Sequence, residues 1–251
     1  ELYSYELPVV CPFAYEGETI FQEPQSQLLY SVYPKVLGRL KDEYTKEELS
    51  AAGKILAGLH NIGDLAPFSH RPQFTPANYL DAHLTFLEKC DFLPQAPRQN
   101  FLTLGRQISQ FITPYFQHLS SQRIHGDFHR GNLLWTDEGP WIVDFDDCSS
   151  GPKQQDLWLL TPGRDQEAQK DQETFLESYH LLAKKEVPLT QFHKEAFRSI
   201  RMIHFTGWIS RRWEDPSFKK AFENFDQQIF WESQLLDLKE QLGILQETLA
   251  Y

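Results

Sequence analysis

The chain has 251 residues, of which 41% are hydrophobic and 14% aromatic, so it can form one large domain or two small ones around a well-filled core. Its 24 lysines and arginines stand against 35 aspartates and glutamates, which gives a formal net charge of −11. This acidic balance argues against nucleic acids and anionic membrane surfaces as partners, because both are bound by clustered Lys and Arg.

The number and spacing of the cysteines and the residues at the N-terminus indicate in which cellular compartment the protein is expected. The three cysteines are far apart and form no Cys-x-x-Cys pair, which predicts reduced thiols in a cytoplasmic protein. The sequence contains no apolar run of about 18 residues and no signal peptide, so we expect no membrane segment. The chain begins with Glu1 and its single methionine is Met202, so we expect the natural N-terminus to lie upstream.

The first 34 residues favour β-structure, and we predict strands within 6–34. Runs at 18–21 and 27–33 are rich in β-branched and aromatic residues, and the intervening residues 23–26 are typical of a turn. This pattern predicts a hairpin. The composition changes near residue 35, where we place the boundary between two lobes.

Helical periodicity begins at Thr45. Thr45 and Glu48 have the spacing of a capping box, apolar residues then recur at helical spacing, and Gly63 is expected to end the helix. Further helices are predicted over 77–90 and 98–119, with a kink at the proline in the second. After a hairpin in 133–144, the pattern predicts helices over 153–161, 167–183, 190–213 and 226–246.

The most informative segment is residues 125–132, HGDFHRGN, followed by the apolar run that ends at Asp144. One carboxylate, Asp127, can accept the proton of an attacking hydroxyl. The amide of Asn132 and the carboxylate of Asp144, across the hairpin, can hold Mg²⁺ against nucleotide phosphates. This combination is typical of phosphoryl transfer.

Other interpretations of these residues are weaker. Asp127 and Asn132 taken singly can be turn residues, and His125 is expected to brace the loop rather than to react. An Asp-x-His motif also occurs in binuclear metallophosphoesterases, but those need an Asn-His run, whereas Leu133 follows here. The Asp-x-Asp at 144–146 also occurs in metal-dependent glycosyltransferases, but this motif is short and common. We assign no metal role to Asp146 or Asp147.

The block HGDFHRGNLLW at 125–135, VDFDD at 143–147 and the later QDLW and RRWEDP segments resemble the aminoglycoside phosphotransferase and choline kinase superfamily, over nearly the whole chain. Within it, the sequence most resembles the bacterial stress response kinase A family of Ser/Thr protein kinases. The resemblance implies a protein-kinase-like fold that uses ATP and Mg²⁺.

Carried over by position, the resemblance implies roles for five residues. Asp127 corresponds to the catalytic base, and Asn132 and Asp144 correspond to the Mg²⁺ ligands. His129 falls where protein kinases have a phosphate-contacting Lys, and Asp156 resembles a buried acid that braces the catalytic loop. The resemblance also implies an adenine-binding hinge, which comprises Leu29, Tyr30, Ser31, Val32 and Tyr33.

The sequence departs from the protein-kinase pattern at several points. Asp146 replaces the Gly of Asp-Phe-Gly, as is usual in this superfamily, and no Ala-Pro-Glu motif follows. No Gly-rich loop or Val-Ala-x-Lys strand precedes residue 30, and Lys35 comes after the hinge. The given chain is therefore expected to lack the part of the N-lobe that grips the phosphates and to be weakly active or inactive by itself.

We accordingly predict an α+β, protein-kinase-like fold. Residues 1–34 would be the remnant of a β-rich N-lobe with the hinge, and residues 35–251 a mainly helical C-lobe with the catalytic loop. The predicted function is ATP-dependent phosphoryl transfer to Ser or Thr of a protein. The alternatives are a small-molecule kinase of the aminoglycoside or choline type, and a non-catalytic, pseudokinase-like binding module.

Overall fold

The computed structural model describes residues 1–248 and is mostly helical, with small antiparallel sheets. The eight α-helices of the described chain are α1 (Lys46–Gly63), α2 (Ala82–Glu88), α3 (Gln95–Phe116), α4 (Gln154–Leu159), α5 (Gln166–Leu182), α6 (Gln191–Arg211), α7 (Pro216–Ala221) and α8 (Gln228–Glu247). The strands are β1 (Phe21–Gln22), β2 (Leu29–Tyr30), β3 (Gln122–Ile124), β4 (Leu133–Thr136), β5 (Gly139–Ile142) and β6 (Ser149–Gly151). No helix within residues 1–248 is both long and apolar enough to cross a membrane.

Helix α1 begins and ends where the sequence predicts. The Thr45 side chain accepts a hydrogen bond from the backbone of Glu48, and the Glu48 side chain accepts one from the backbone of Thr45. These reciprocal bonds satisfy two backbone donors that a helix start would otherwise leave without partners. The apolar face is buried, including Leu49 and Leu56, and Gly63 is the last helical residue.

The other predicted helices are found with small changes of bounds. The helix predicted over 77–90 begins with a π-helical turn, Ala77–Asp81, which passes directly into α2. Helix α3 contains Pro114 and continues two residues beyond it. Helix α7 was not predicted, although Asp215 caps it by accepting from the Ser217 backbone and Pro216 occupies its first turn.

The prediction of strands over 6–34 was too broad. Only β1 and β2 form there, each two residues long, with Phe21 opposite Tyr30 in an antiparallel pair. The antiparallel pair nevertheless confirms the predicted hairpin around the turn at 23–26. The predicted hairpin in 133–144 is confirmed as well. Strands β4 and β5 pair from Leu133 opposite Ile142 to Thr136 opposite Gly139, and this pairing holds the chain directly before Asp144.

The chain divides into two compact units, each made of three separate segments. The first unit comprises Glu1–Pro67, Gln122–Cys148 and Leu159–Val187. Its core includes the buried faces of α1 and α5. The second unit comprises Phe68–Ser121, Ser149–Trp158 and the residues from Pro188 on, and Phe101 and Trp231 are in contact in its core. The lobe boundary near residue 35 stays a prediction.

Candidate active site

The loop after β3 is fixed to the segment before Asp144 by a buried histidine. His125 is fully buried, its Nδ1 accepts from the backbone N–H of Asp127 at 3.3 Å, and its Nε2 lies 3.0 Å from the carbonyl of Val143. Because Nδ1 acts as the acceptor, Nε2 carries the proton and donates to Val143. His125 therefore connects the two chain segments that carry the predicted carboxylates.

His129 contacts the predicted catalytic base directly. Its Nε2 lies 3.2 Å from Oδ2 of Asp127, and its Nδ1 accepts from the backbone N–H of Gly131 at 2.9 Å. This second bond assigns the proton of the neutral ring to Nε2, which then donates to Asp127. A Cβ at position 131 would lie 2.8 Å from Cε1 of His129, so glycine permits the close turn.

Asn132 links the two halves of the site. Its side chain is buried, and Nδ2 donates to the backbone carbonyl of Asp127 at 2.9 Å. Its own carbonyl accepts from the backbone N–H of Val143 at 3.1 Å. Since the amide nitrogen is used within the loop, the amide oxygen is the atom of Asn132 that suits a cation. The two bonds hold Asp127 and Asp144 in one frame.

Asp144 has a left-handed backbone with a φ of 62°, a conformation that non-glycine residues rarely adopt. It follows β5 by two residues and its side chain is exposed. Such a conformation re-aims the side chain at the end of the hairpin. Strained backbone of this kind is common at functional sites.

The carboxylates of this region form an electrostatic cluster. Burial raises the pKa of Asp147, and the negative charges of Asp127, Asp144 and Asp146 raise it further. Although the residue as a whole is exposed, its carboxyl is crowded by protein atoms. A divalent cation would relieve this repulsion. Sequence reasoning gave Asp147 no role; Asp144 and Asp146 are its neighbours in the sequence, whereas its proximity to Asp127 appears only in the folded chain.

The donor set suits a cation that shares its coordination with phosphates. The oxygens of Asn132 and Asp144 are hard donors, which Mg²⁺ prefers. Within residues 1–248, no group of three His, Cys, Asp or Glu is arranged to hold a metal ion. Mg²⁺ at phosphoryl-transfer sites typically takes one or two carboxylates together with substrate phosphates, so two protein ligands are sufficient.

The predicted adenine segment is exposed. The side chains of Leu29 and Tyr33 are 69% and 54% exposed, and Ser31 donates to the carbonyl of Thr19 at 2.8 Å. In the described part of the chain, no hydrogen bond joins residues 29–33 to the loop 125–132. The segment thus presents apolar side chains that a planar base can contact. Asp156 is fully buried in the first turn of α4, and its bracing role stays a prediction.

Comparison with known proteins gives the relatives of this chain. Residues 2–195 match the family model described as phosphotransferase enzyme family. Stress response kinase A of Salmonella paratyphi A is 33% identical, and that of Escherichia coli K12 is 32% identical. A serine/threonine protein kinase RdoA of Salmonella typhimurium is 33% identical. Each alignment covers 98% of this chain and 74% of the relative.

Solved structures with the same fold include two kinases. Amicoumacin kinase, in complex with AMP-PNP and Ca²⁺, superposes with a TM-score of 0.67 at 17% identity, over 91% of this chain and 73% of that one. Choline kinase LicA of Streptococcus pneumoniae gives 0.56 at 14% identity, over 96% and 78%. At these identities the likeness concerns the fold, and it confirms the predicted protein-kinase-like class.

Proposed function

Because this chain belongs to the phosphotransferase enzyme family and its relatives are kinases, we propose that it transfers a phosphoryl group from ATP to a Ser or Thr hydroxyl of a protein. The observation that carries the proposal is the frame around Asn132. Its amide bonds to Asp127, and its carbonyl bonds to the residue before Asp144. This frame supports the assignment of one base and two cation ligands to a single site.

Asp127 is the group that we assign to the acceptor hydroxyl. Its carboxylate accepts the hydroxyl proton as the oxygen bonds to the γ-phosphorus, the bond between the γ-phosphorus and the bridging oxygen breaks, and ADP leaves. General-base catalysis of this type contributes roughly 10²–10⁴-fold to the rate. His129 donates to one oxygen of Asp127 and orients the carboxylate.

Asn132 and Asp144 are the proposed ligands of Mg²⁺. Bound Mg²⁺ supplies neutralisation of the phosphate charge. The left-handed backbone of Asp144 and the amide orientation of Asn132 are consistent with a shared ion. The presence of Ca²⁺ with AMP-PNP in the amicoumacin kinase structure supports a divalent ion and an adenine nucleotide. For the adenine, we propose the exposed segment Leu29–Tyr33.

The names of the relatives favour a protein acceptor. They are called stress response kinase A and serine/threonine protein kinase and are 32–33% identical, whereas amicoumacin kinase and choline kinase LicA are 17% and 14% identical. The second candidate is an amino-alcohol or aminoglycoside acceptor. It is favoured by the cluster of four carboxylates, because a cationic substrate would be attracted to it.

A competition of acceptors tests the proposal. The protein, in the full length that its gene encodes, is given labelled ATP and Mg²⁺ with a generic protein substrate, choline or an aminoglycoside in parallel. Label on Ser or Thr, including its own, is the expected result, and Asp127→Asn should slow its transfer roughly 10²–10⁴-fold. Label on choline or the aminoglycoside alone would select the second candidate. ATP binding without transfer to any acceptor would indicate a non-catalytic binding module.

A further inference from the structure

Arg130 lies in the middle of the active-site loop, and nothing above gives it a chemical role. It follows His129 and opens the short 3-10 helix Arg130–Asn132. Its side chain is 29% exposed, so most of it is enclosed by protein. An arginine at this position can be a solvated loop residue, or it can hold the loop against other parts of the chain. Its contacts decide between the two.

The guanidinium group of Arg130 contacts three separate chain segments. Nε donates to the carbonyl of Leu160 at 3.3 Å, and Nη1 donates to the carbonyl of Asp42. Nη2 lies 3.5 Å from Oδ2 of Asp171 on α5. All three nitrogens therefore have a partner. All three partners are distant along the chain, 30 to 88 residues from Arg130.

Tyr44 holds the same residue from another side. Its ring lies 5.1 Å from the guanidinium carbon, and its hydroxyl donates to the backbone carbonyl of Arg130 at 3.3 Å. Burial raises the pKa of Tyr44 to about 12, so the hydroxyl keeps its proton and remains a donor. The ring is itself fixed by an edge contact with Trp135, 5.0 Å between centroids. Both the backbone and the side chain of Arg130 are thus held by one buried tyrosine.

General stabilisation of the fold is a weaker explanation for this set of contacts. The partly exposed pair with Asp171 contributes little by itself, because solvent screens such pairs. The remaining bonds end on backbone carbonyls and therefore fix the chain rather than a mobile side chain. A guanidinium group is planar and rigid, so three directed donors fix the end of the side chain, while the Tyr44 hydroxyl holds the Arg130 backbone. That backbone is adjacent to His129 and Gly131.

We propose that Arg130 is a positioning residue that anchors the loop carrying Asp127, His129 and Asn132 to the segment at 42–44 and to α5. It touches no reacting atom and acts through its neighbours. Without the anchor, the bonds from Gly131 and Asn132 to His129 open more often, and the imidazole no longer holds the Asp127 carboxylate. The effect on catalysis rests on the proposed function, but the order of the loop does not.

The experiment compares Arg130→Ala and Arg130→Lys with the control Arg123→Ala. Arg123 is also tied to backbone carbonyls in the first unit, at Ile62 and Gly63, but it lies outside the loop. Hydrogen–deuterium exchange is measured on the 251-residue chain for the amides of Gly131 and Asn132. We expect exchange in Arg130→Ala to be roughly tenfold faster at these amides alone, with wild-type rates in the control. Lysine keeps the positive charge but lacks the planar set of donors of a guanidinium group. We therefore expect Arg130→Lys to exchange nearly as fast as Arg130→Ala at these amides.

The kinetic arm uses the full-length protein. Arg130→Ala should lower kcat per folded molecule roughly tenfold to a hundredfold at an unchanged KM for ATP, because small displacements of catalytic groups cost this much. Unchanged loop exchange, an equal increase in Arg123→Ala, or full rescue by Lys would overturn the proposal. If the wild type transfers phosphate to no acceptor, the proposed function fails, and the exchange measurement still decides the role of Arg130.

Discussion

Asn132 accounts for much of the geometry of the active-site loop. Its side-chain nitrogen donates to the backbone carbonyl of Asp127, and its backbone carbonyl accepts from the N–H of Val143. One buried residue therefore links the loop to the segment before Asp144 and leaves its side-chain oxygen for a cation. Replacement by Asp would keep an oxygen ligand but lose the donor to Asp127, so the two tasks of this residue cannot be met by a carboxylate.

Two substitutions separate the proposed base from the proposed cation ligand. Asp127→Asn should lower kcat roughly 10²–10⁴-fold with ATP affinity nearly unchanged, because it removes the proton acceptor. Asp144→Ala should weaken Mg²⁺-ATP binding as well as turnover. Asp137→Asn, in the exposed turn of the same hairpin, is the control and should behave as wild type. Steady-state kinetics and calorimetric titration measure both quantities, and an equal loss of ATP affinity in both variants would contradict the division of roles.

The residues that sequence reasoning brought together are close along the chain. Asp127, Asn132 and Asp144 lie within one loop and one hairpin, and the turn at 136–139 sets the return of the chain. Arg130 stands inside the same motif but was overlooked, because its partners at Asp42, Leu160 and Asp171 become neighbours only in the folded chain. In the sequence, Arg130 is visible only as a basic residue between His129 and Gly131, and such a residue does not by itself indicate a positioning role.

Helices α1 and α5 approach so closely that their crossing requires a glycine. A Cβ at Gly53 would lie 2.4 Å from the carbonyl oxygen of Phe175 and 2.9 Å from the amide of Tyr179. Both atoms belong to the backbone of α5 and cannot rotate away. The same crossing brings Ser178 to within 2.8 Å of Ser50, hydroxyl to hydroxyl.

Gly53→Ala should therefore destabilise the chain by about 1–3 kcal/mol, the usual cost of overpacking, although alanine is the better helix former. Gly243→Ala is the matched control, because Gly243 also lies within a helix but a Cβ there meets no atom within 4 Å. The control should gain about 0.5–1 kcal/mol. Urea unfolding of both variants measures the difference, and a stabilised Gly53→Ala would show that the two helices are able to separate.

Elements with local signals were predicted well, and those that depend on neighbours were not. The capping box of α1 and the turn between β4 and β5 are each formed by residues only a few positions apart, so each can be recognised in the sequence. The β-branched and aromatic residues of 6–34 fit strands by composition, but strand formation depends on a partner to pair with. Within 6–34, β1 and β2 pair for two residues each, and Val9 and Tyr15 form isolated bridges. Helix α7 was missed because six residues give too short a periodic pattern.

At the scale of the whole chain, the two compact units are each assembled from three segments that alternate along the sequence. A reading in chain order finds helices and motifs but cannot find which segments share a core. The fold class was nonetheless predictable, because the motif at 125–147 is specific to a family with one architecture. The acidic net charge was less informative, since it excluded partners without selecting a substrate.

A buried histidine pair should make the stability of the folded chain depend on pH. Nε2 of His83 on α2 lies 2.9 Å from Nδ1 of His204 on α6. A Cβ on Gly207 would lie 2.1 Å from the His83 ring, so the ring is tightly enclosed. Burial, together with the nearby charges of His204, Arg211 and Arg212, lowers the pKa of His83 to about 3. His83 therefore stays neutral in the folded chain at pH values where an unfolded histidine is protonated.

The sign of the effect follows from proton binding. The unfolded chain takes up a proton at His83 near pH 6.5 and the folded chain only near 3, so stability is lost as the pH falls between these values. Between pH 7 and pH 5 the loss should be about 2 kcal/mol, at roughly 1.4 kcal/mol for each pH unit below 6.5. Urea unfolding at several pH values should show this slope in the wild type and in His118→Gln, which changes an exposed histidine. His83→Gln should reduce the dependence of the unfolding free energy on pH. Parallel curves of unfolding free energy against pH for all three proteins would show that His83 is not kept neutral in the folded chain.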